Sequence, residues 1–217
     1  MKVKNIIYLF LISLFLVNCS SQEEQITEKY INENLEELFA NSNCSVKISN
    51  WKKHPIDTIT KGEIYDYYIF KFRRKAEYSR ELRDASLRVV NSIDGVIRSS
   101  RRCGVSYNWI LPDKRKAEND YYHYSEEYNN LRELIEFLQD KTDREEVFIY
   151  VYPFLTELSS VDEFTEEKIS ATISCYSYIA STSGEVITIL FGDEYERDLS
   201  RVDITLLLNE NEQYLTE

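Results

Sequence analysis

Val147-Phe148-Ile149-Tyr150-Val151-Tyr152 alternates aliphatic and aromatic side chains with a period of two. Successive side chains of an extended chain point to opposite faces, so Val147, Ile149 and Val151 share one face and Phe148, Tyr150 and Tyr152 the other. β-branched and aromatic residues also suit a pleated surface, and the segment is predicted to be a strand. Two more strands are predicted after it. In Ile169 to Ile179, the residues Ile169, Ala171, Ile173, Cys175 and Ile179 line one face, while Tyr176 and Tyr178 line the other. Glu185 to Phe191 follows, and Ser181-Thr182-Ser183-Gly184 between the two is hairpin turn chemistry.

Upstream the period changes. Tyr124, Tyr128, Leu131, Ile135 and Leu138 recur every three or four residues, which predicts a helix over Ser125 to Asp140, capped by Ser125 or a nearby Asp. Ile31, Leu35, Leu38 and Phe39 make one stripe of a helix over Glu23 to Phe39, ended by Asn41-Ser42-Asn43. Val46 and Ile48 mark a strand over Ser45 to Trp51, broken by His54-Pro55. Ile64 to Phe72 is apolar on both faces and is expected to be a central strand. From Glu77 to Ser100 two readings compete. Leu82, Ala85, Val89, Ile93 and Val96 keep helical spacing, whereas Asp94-Gly95 between apolar pairs is a type I′ hairpin signal. A helix ending near Asn91 is the favoured reading. Val105, Tyr107, Trp109 and Leu111 then alternate as a strand stopped by Pro112, and a short helix is expected around Leu206 and Leu207. The sum is an α+β fold: a mostly antiparallel sheet with amphipathic helices packed on one face. A single domain over 25–217 is expected. Glu77-Tyr78-Ser79-Arg80-Glu81-Leu82 echoes Glu194-Tyr195-Glu196-Arg197-Asp198-Leu199, which raises two similar halves, about 25–140 and 141–217, against chance similarity as the favoured explanation.

Composition narrows the function classes. With 217 residues, 43% of them hydrophobic, and only five Gly and three Pro, collagen-like and disordered chains are excluded. A formal net charge of -12 argues against broad nucleic-acid binding. The charge is uneven, however: Lys71 to Lys116 holds thirteen Lys and Arg against five Asp and Glu. Arg73-Arg74-Lys75 and Arg101-Arg102 could face lipopolysaccharide phosphates or an acidic partner; pairing with the chain's own surplus acids is the favoured reading.

The N-terminus carries a different message. Lys2 and Lys4 precede an apolar run from Ile6 to Val17, broken by Ser13, that is too short to span a bilayer. Leu16-Val17-Asn18-Cys19 resembles a bacterial lipobox. The resemblance implies a signal peptide over 1–18, cleavage before Cys19 and acylation of its thiol, with 19–24 as tether. Ser20 after the Cys and the acidic pair Glu23-Glu24 resemble the sorting and surface-export signals of Bacteroidota-type lipoproteins. The implied location is the outer membrane, lipid-anchored and facing the periplasm or the exterior. Loss of Lys2 and Lys4 would take the formal charge from -12 to -14. In the oxidising compartment so implied, Cys44, Cys103 and Cys175 remain. Cys175 reads as a small buried hydrophobe, and Cys44 with Cys103 as the candidate disulfide. Asp57-Thr58-Ile59 resembles the O-glycosylation site of the same class of exported protein, which would place a glycan on Thr58.

Signals for catalysis are few. There are two His, His54 and His123, and no nucleophile elbow, zinc-binding His-Glu-x-x-His, P-loop or dinucleotide fingerprint. No cofactor, metal or catalytic residue is expected. Seventeen Tyr are the unusual component. If Phe148, Tyr150, Tyr152, Tyr176 and Tyr178 line one open sheet face, that face offers rigid amphipathic contact area suited to a protein or glycan partner; a half-buried face packed with amphipathic side chains is the competing reading. The expectation is a non-catalytic binding module. Its rivals are an immunity-type lipoprotein neutralising a basic toxin and, behind that, a hydrolase.

Overall fold

The structure, a computed structural model, describes residues 20–39, 44–161 and 168–208. In chain order the elements are α1 (Gln22–Glu33), α2 (Leu35–Phe39), β1 (Ser45–Ser49), β2 (Asp57–Thr60) and α3 (Lys61–Arg102). They continue with α4 (Leu111–Gln139), β3 (Val147–Val161), β4 (Lys168–Ala180) and β5 (Val186–Phe191). Single 3-10 turns lie at Asn108–Ile110, Leu199–Arg201 and Ile204–Leu207. The α+β expectation holds, with every strand pair antiparallel. The described residues form two compact units that are not consecutive halves. One takes the chain up to Thr60 together with Val147–Val202; the other takes Lys61–Glu146 and the residues from Asp203 onward.

In the first unit the sheet order is β1-β3-β4-β5, with β2 also paired to β3. β3 is long enough for β2 to pair with its first half and β1 with its second, along one edge, while β4 fills the other. Helix α1 starts at Gln22, one residue before the expected Glu23. Ser21 caps it, accepting from the Glu24 N–H at 3.2 Å, and Glu23 and Glu24 stand in the first turn, where the helix dipole favours negative charge. The helix thus begins inside the segment expected to be tether. It packs on the sheet through Ile31, which clusters with Phe154, Cys175 and Ile189. Beside this cluster, the hydroxyls of Thr27 and Ser177 are fully buried and satisfy each other at 2.9 Å. Asn34 ends α1, and α2 is a separate turn and a half that sets Phe39 edge-on to Phe191.

The second unit is a helical hairpin. α3 has 42 residues and α4 has 29, about 63 and 44 Å at 1.5 Å per residue. Asp94 pairs with Lys114, Ser79 with Glu127, and Tyr65 with Asp143, so the two helices run antiparallel in one register.

Here the sequence expectations need correction. Ile64 to Phe72 is the start of α3, not a strand. Ile64, Tyr65, Tyr68, Ile69, Ala76 and Ser79 are buried at helical spacing, while Asp66 and Phe70 point outward. A short apolar run satisfies both periods, and its continuation decides between them. Asp94-Gly95 is helix interior, flanked by the buried Ile93 and Ile97, so α3 continues past Asn91. The reversal comes instead at Cys103-Gly104, where Gly104 has φ +67° and its N–H donates to Arg101 O. Val105 to Leu111 is not a strand either: Tyr107, Ile110 and Leu111 pack inward on Ile93 and Ile97. Pro112 opens α4, in a first turn where its missing N–H costs nothing. Ser125 is mid-helix and donates to Tyr121 O rather than capping. The echoed hexapeptides are unlike: Glu77–Leu82 is helical and Glu194–Leu199 is loop entering a 3-10 turn. The predicted C-terminal helix is the 3-10 turn Ile204–Leu207.

Candidate binding groove

The proposed tyrosine face does not form. β3 and β4 pair with Tyr150 opposite Ile179, Tyr152 opposite Ser177 and Phe154 opposite Cys175. Directly opposed residues share a face, so Tyr150 and Tyr152 lie on the Cys175 side. Tyr176 and Tyr178 lie on the other side, with Val151 and Ile149. A one-residue offset between the two strands is enough to divide the set. Burial confirms the correction: Phe148 and Tyr152 are buried, Tyr178 is fully buried, and Tyr150 and Tyr176 are half-buried. Tyr152 stacks on Trp51 at 5.4 Å between ring centroids. These five side chains are core and core margin divided between two faces, and of them only Tyr176 lines the groove described below.

The sheet's second face is closed by the chain after β5. Asp57, on β2, accepts from Tyr195 Oη at 2.6 Å and from Arg197 Nε at 2.8 Å. Tyr195 also packs against Tyr176 at 5.1 Å, and the Asp198 N–H donates to Tyr178 Oη at 3.5 Å. Burial pushes the Asp57 carboxyl up, but the donors Arg197 and Tyr195 outweigh it and hold the group below the usual carboxylate range. The Tyr195 phenol is pushed up, first by burial and then by its bond to Asp57. Asp57 is therefore the latch that fixes 195–198 across the sheet. Asp198 in turn caps Leu199–Arg201 by accepting from Ser200 N–H at 2.9 Å.

Beside this latch runs an open groove of about 650 Å³, floored by Thr188 to Gly192 of the β5 end and walled by Tyr30, Glu37 and Leu38 on one side. Glu194, Glu196, Asp198 and Arg201 form the other wall. Arg201 lies 3.8 Å from Asp198; among the described residues Glu37, Glu194 and Glu196 enter no ion pair. β5 is also the last strand of the sheet, with no neighbour on its outer side among the described residues. Among the described residues, no strand pairs with the N–H and C=O groups on that side.

Compared with known proteins, the chain matches no family model, no curated protein and no solved structure. The assignment of function therefore rests on chemistry.

Cys19 lies outside the described residues. Cys44 and Cys103, the candidate disulfide, are thiols belonging to different units, and Cys103 is exposed. Cys175 is buried as expected, its thiol pushed up by burial, with Thr156 Oγ1 at 3.2 Å. Such a thiol is a poor nucleophile. Thr58 is exposed on β2, and its N–H donates to Asp57 Oδ1 at 2.8 Å. His54 and His123 are both exposed. Among the described residues no group of three or more His, Cys, Asp or Glu is arranged to hold a metal ion, and no helix is long and apolar enough to cross a membrane. Sequence reading missed the groove. Its only trace was the carboxylate run Glu194 to Asp198 directly after a strand.

Proposed function

We propose that this protein is a lipid-anchored, non-catalytic binding module of the outer membrane, whose groove takes an extended basic segment of a partner protein. One observation carries the partner's chemistry: an open strand edge and a surplus of carboxylates meet in one groove. An extended chain added to a strand edge gains main-chain hydrogen bonds, and its alternate side chains reach the walls. Unpaired Glu37, Glu194 and Glu196 then select Lys and Arg and speed their approach. Tyr30 and Tyr176 supply amphipathic contact area along the same path. The anchoring half of the reading is supported by Lys2, Lys4, the apolar run and Cys19 in their order along the chain. The acidic groove also favours the narrower reading of an immunity-type lipoprotein, since a toxin it neutralised would be basic.

Calorimetric titration of the full chain with an extended Lys-rich peptide tests the groove. Glu194→Lys with Glu196→Lys should weaken binding at least ~10-fold while leaving the thermal melt in place, because both side chains are exposed. Equal affinity in the variant, or equal affinity for a Glu-rich peptide, refutes the reading. Cys19→Ala should release the protein from the membrane fraction; unchanged fractionation defeats the anchor.

A further inference from the structure

The turn end of the helical hairpin leaves large apolar side chains in water. Ile93, Ile97 and Ile110 form a small core there, with Tyr107 and Leu111 packed on it, and this fixes the turn. Outside that core, Trp109 is 68% exposed and Val105 59%. Both sit where the chain had alternatives: Tyr107 and Ile110, their near neighbours, turn inward. Around them the charge is one-sided. Gly95 to Ala117 contains six Lys and Arg and one acid, Asp113, in a chain whose net charge is -12. Lys114 is engaged by Asp94 and Glu118, and Arg101 lies over the Tyr107 ring at 5.0 Å. Arg98, Arg102, Arg115 and Lys116 are exposed, and among the described residues they enter no ion pair. The chain's own acids pair with Lys75, Arg80, Arg83 and Lys114 of the basic stretch, as the favoured reading expects, but leave these four without an ion pair among the described residues.

We propose that this tip, Val105 and Trp109 within a collar of Arg98, Arg102, Arg115 and Lys116, docks on an anionic lipid bilayer surface. Trp is amphipathic and settles at the level of the headgroups. Arg and Lys reach the phosphates from around it, each strengthening attachment about fivefold near an anionic surface. Neither feature alone would suffice; an exposed Trp surrounded by acids would be repelled, and a basic collar without an apolar centre would be held only by screened charge. The contact is separate from the acidic groove and from any acyl chain on Cys19, because its signature is the environment of Trp109 rather than retention on the membrane.

Trp51 and Trp109 are the two tryptophans. Trp51→Phe leaves Trp109 as sole reporter and sacrifices no hydrogen bond, since the Trp51 indole N–H has no partner among the described residues. The full chain carrying it is mixed with phosphatidylcholine vesicles, with and without phosphatidylglycerol, and with brominated forms of each lipid. The expected result is a blue shift of Trp109 emission and bromine quenching that require phosphatidylglycerol. Arg102→Glu with Arg115→Glu should lower the vesicle partition constant, read from quenching against lipid concentration, at least ~10-fold, with the circular dichroism melt as fold control. Trp109 emission unchanged on vesicles overturns the proposal. So does quenching of equal strength on phosphatidylcholine alone, or a tip that holds single-stranded RNA and ignores vesicles. Unchanged membrane retention in Cys19→Ala with Trp109 quenching intact would defeat the acyl anchor and leave this contact standing.

Discussion

Replacing Gly95 by Ala separates the two readings of Asp94-Gly95 by sign. In α3, Gly95 lies in the helix interior, and its φ is not among the positive values. Helix interiors favour Ala over Gly by about 0.5–1 kcal/mol, because Gly loses more backbone freedom on folding. A Cβ added at Gly95 meets nothing within 4 Å, so no packing penalty offsets that gain. Gly95→Ala should therefore stabilise by about 0.5–1 kcal/mol, a rise of roughly 1–4 °C in melting temperature for a chain of this size. Thermal and urea melts followed at 222 nm read the change. In a type I′ turn the same glycine would need φ > 0, where a Cβ costs about 1–2 kcal/mol. A destabilised variant would thus refute a continuous helix through this position and restore the hairpin.

Gly62 should behave in the opposite way. Its added Cβ would stand 2.8 Å from Arg144 O, the backbone atom that accepts the Gly62 N–H at 2.9 Å, so Gly62→Ala should cost about 1–3 kcal/mol in the same melts. The Thr27–Ser177 pair predicts a strongly non-additive cycle. Thr27→Val leaves a buried hydroxyl unsatisfied and should cost about 1–3 kcal/mol, while Thr27→Val with Ser177→Ala recovers most of it; additive costs would show that the two hydroxyls do not depend on each other. Acid should weaken the fold through depressed carboxyls. Asp57 is held low by Arg197 and Tyr195 against the upward push of burial, Asp143 by Lys61 against the same push, and Glu127 by Lys75 and then Ser79. Their contribution is complete above the unfolded values near about 4 and is lost as pH falls through the lower folded values. Urea midpoints should fall steadily below about pH 5, and Asp57→Asn should be less stable at neutral pH with a shallower acid limb; an unchanged slope would remove Asp57 from the latch.

Local pattern was sufficient wherever one period ran long enough or a turn residue punctuated it. The alternation of Val147 to Tyr152 names a strand, the stripe ending in Leu138 names a helix, and Ser181 to Gly184 is the hairpin turn, with Gly184 at φ +69°. What failed locally was ambiguous for a physical reason. Ile64 to Phe72 is apolar in positions that fit both a strand and a helix, and only the partner α4, with Leu131, Leu134, Ile135 and Leu138 buried, selects the helical period. Asp94-Gly95 carries turn chemistry, yet a single glycine costs too little to interrupt a helix whose flanking isoleucines are buried. The chain by itself determined which residues are amphipathic, where charge collects and where a lipobox-like Cys stands. Tertiary structure alone decided which face each side chain takes. The tyrosines were parted by strand register, and the groove was made by Asp57 holding a loop some 140 residues away: both depend on long-range pairing, which no local period encodes.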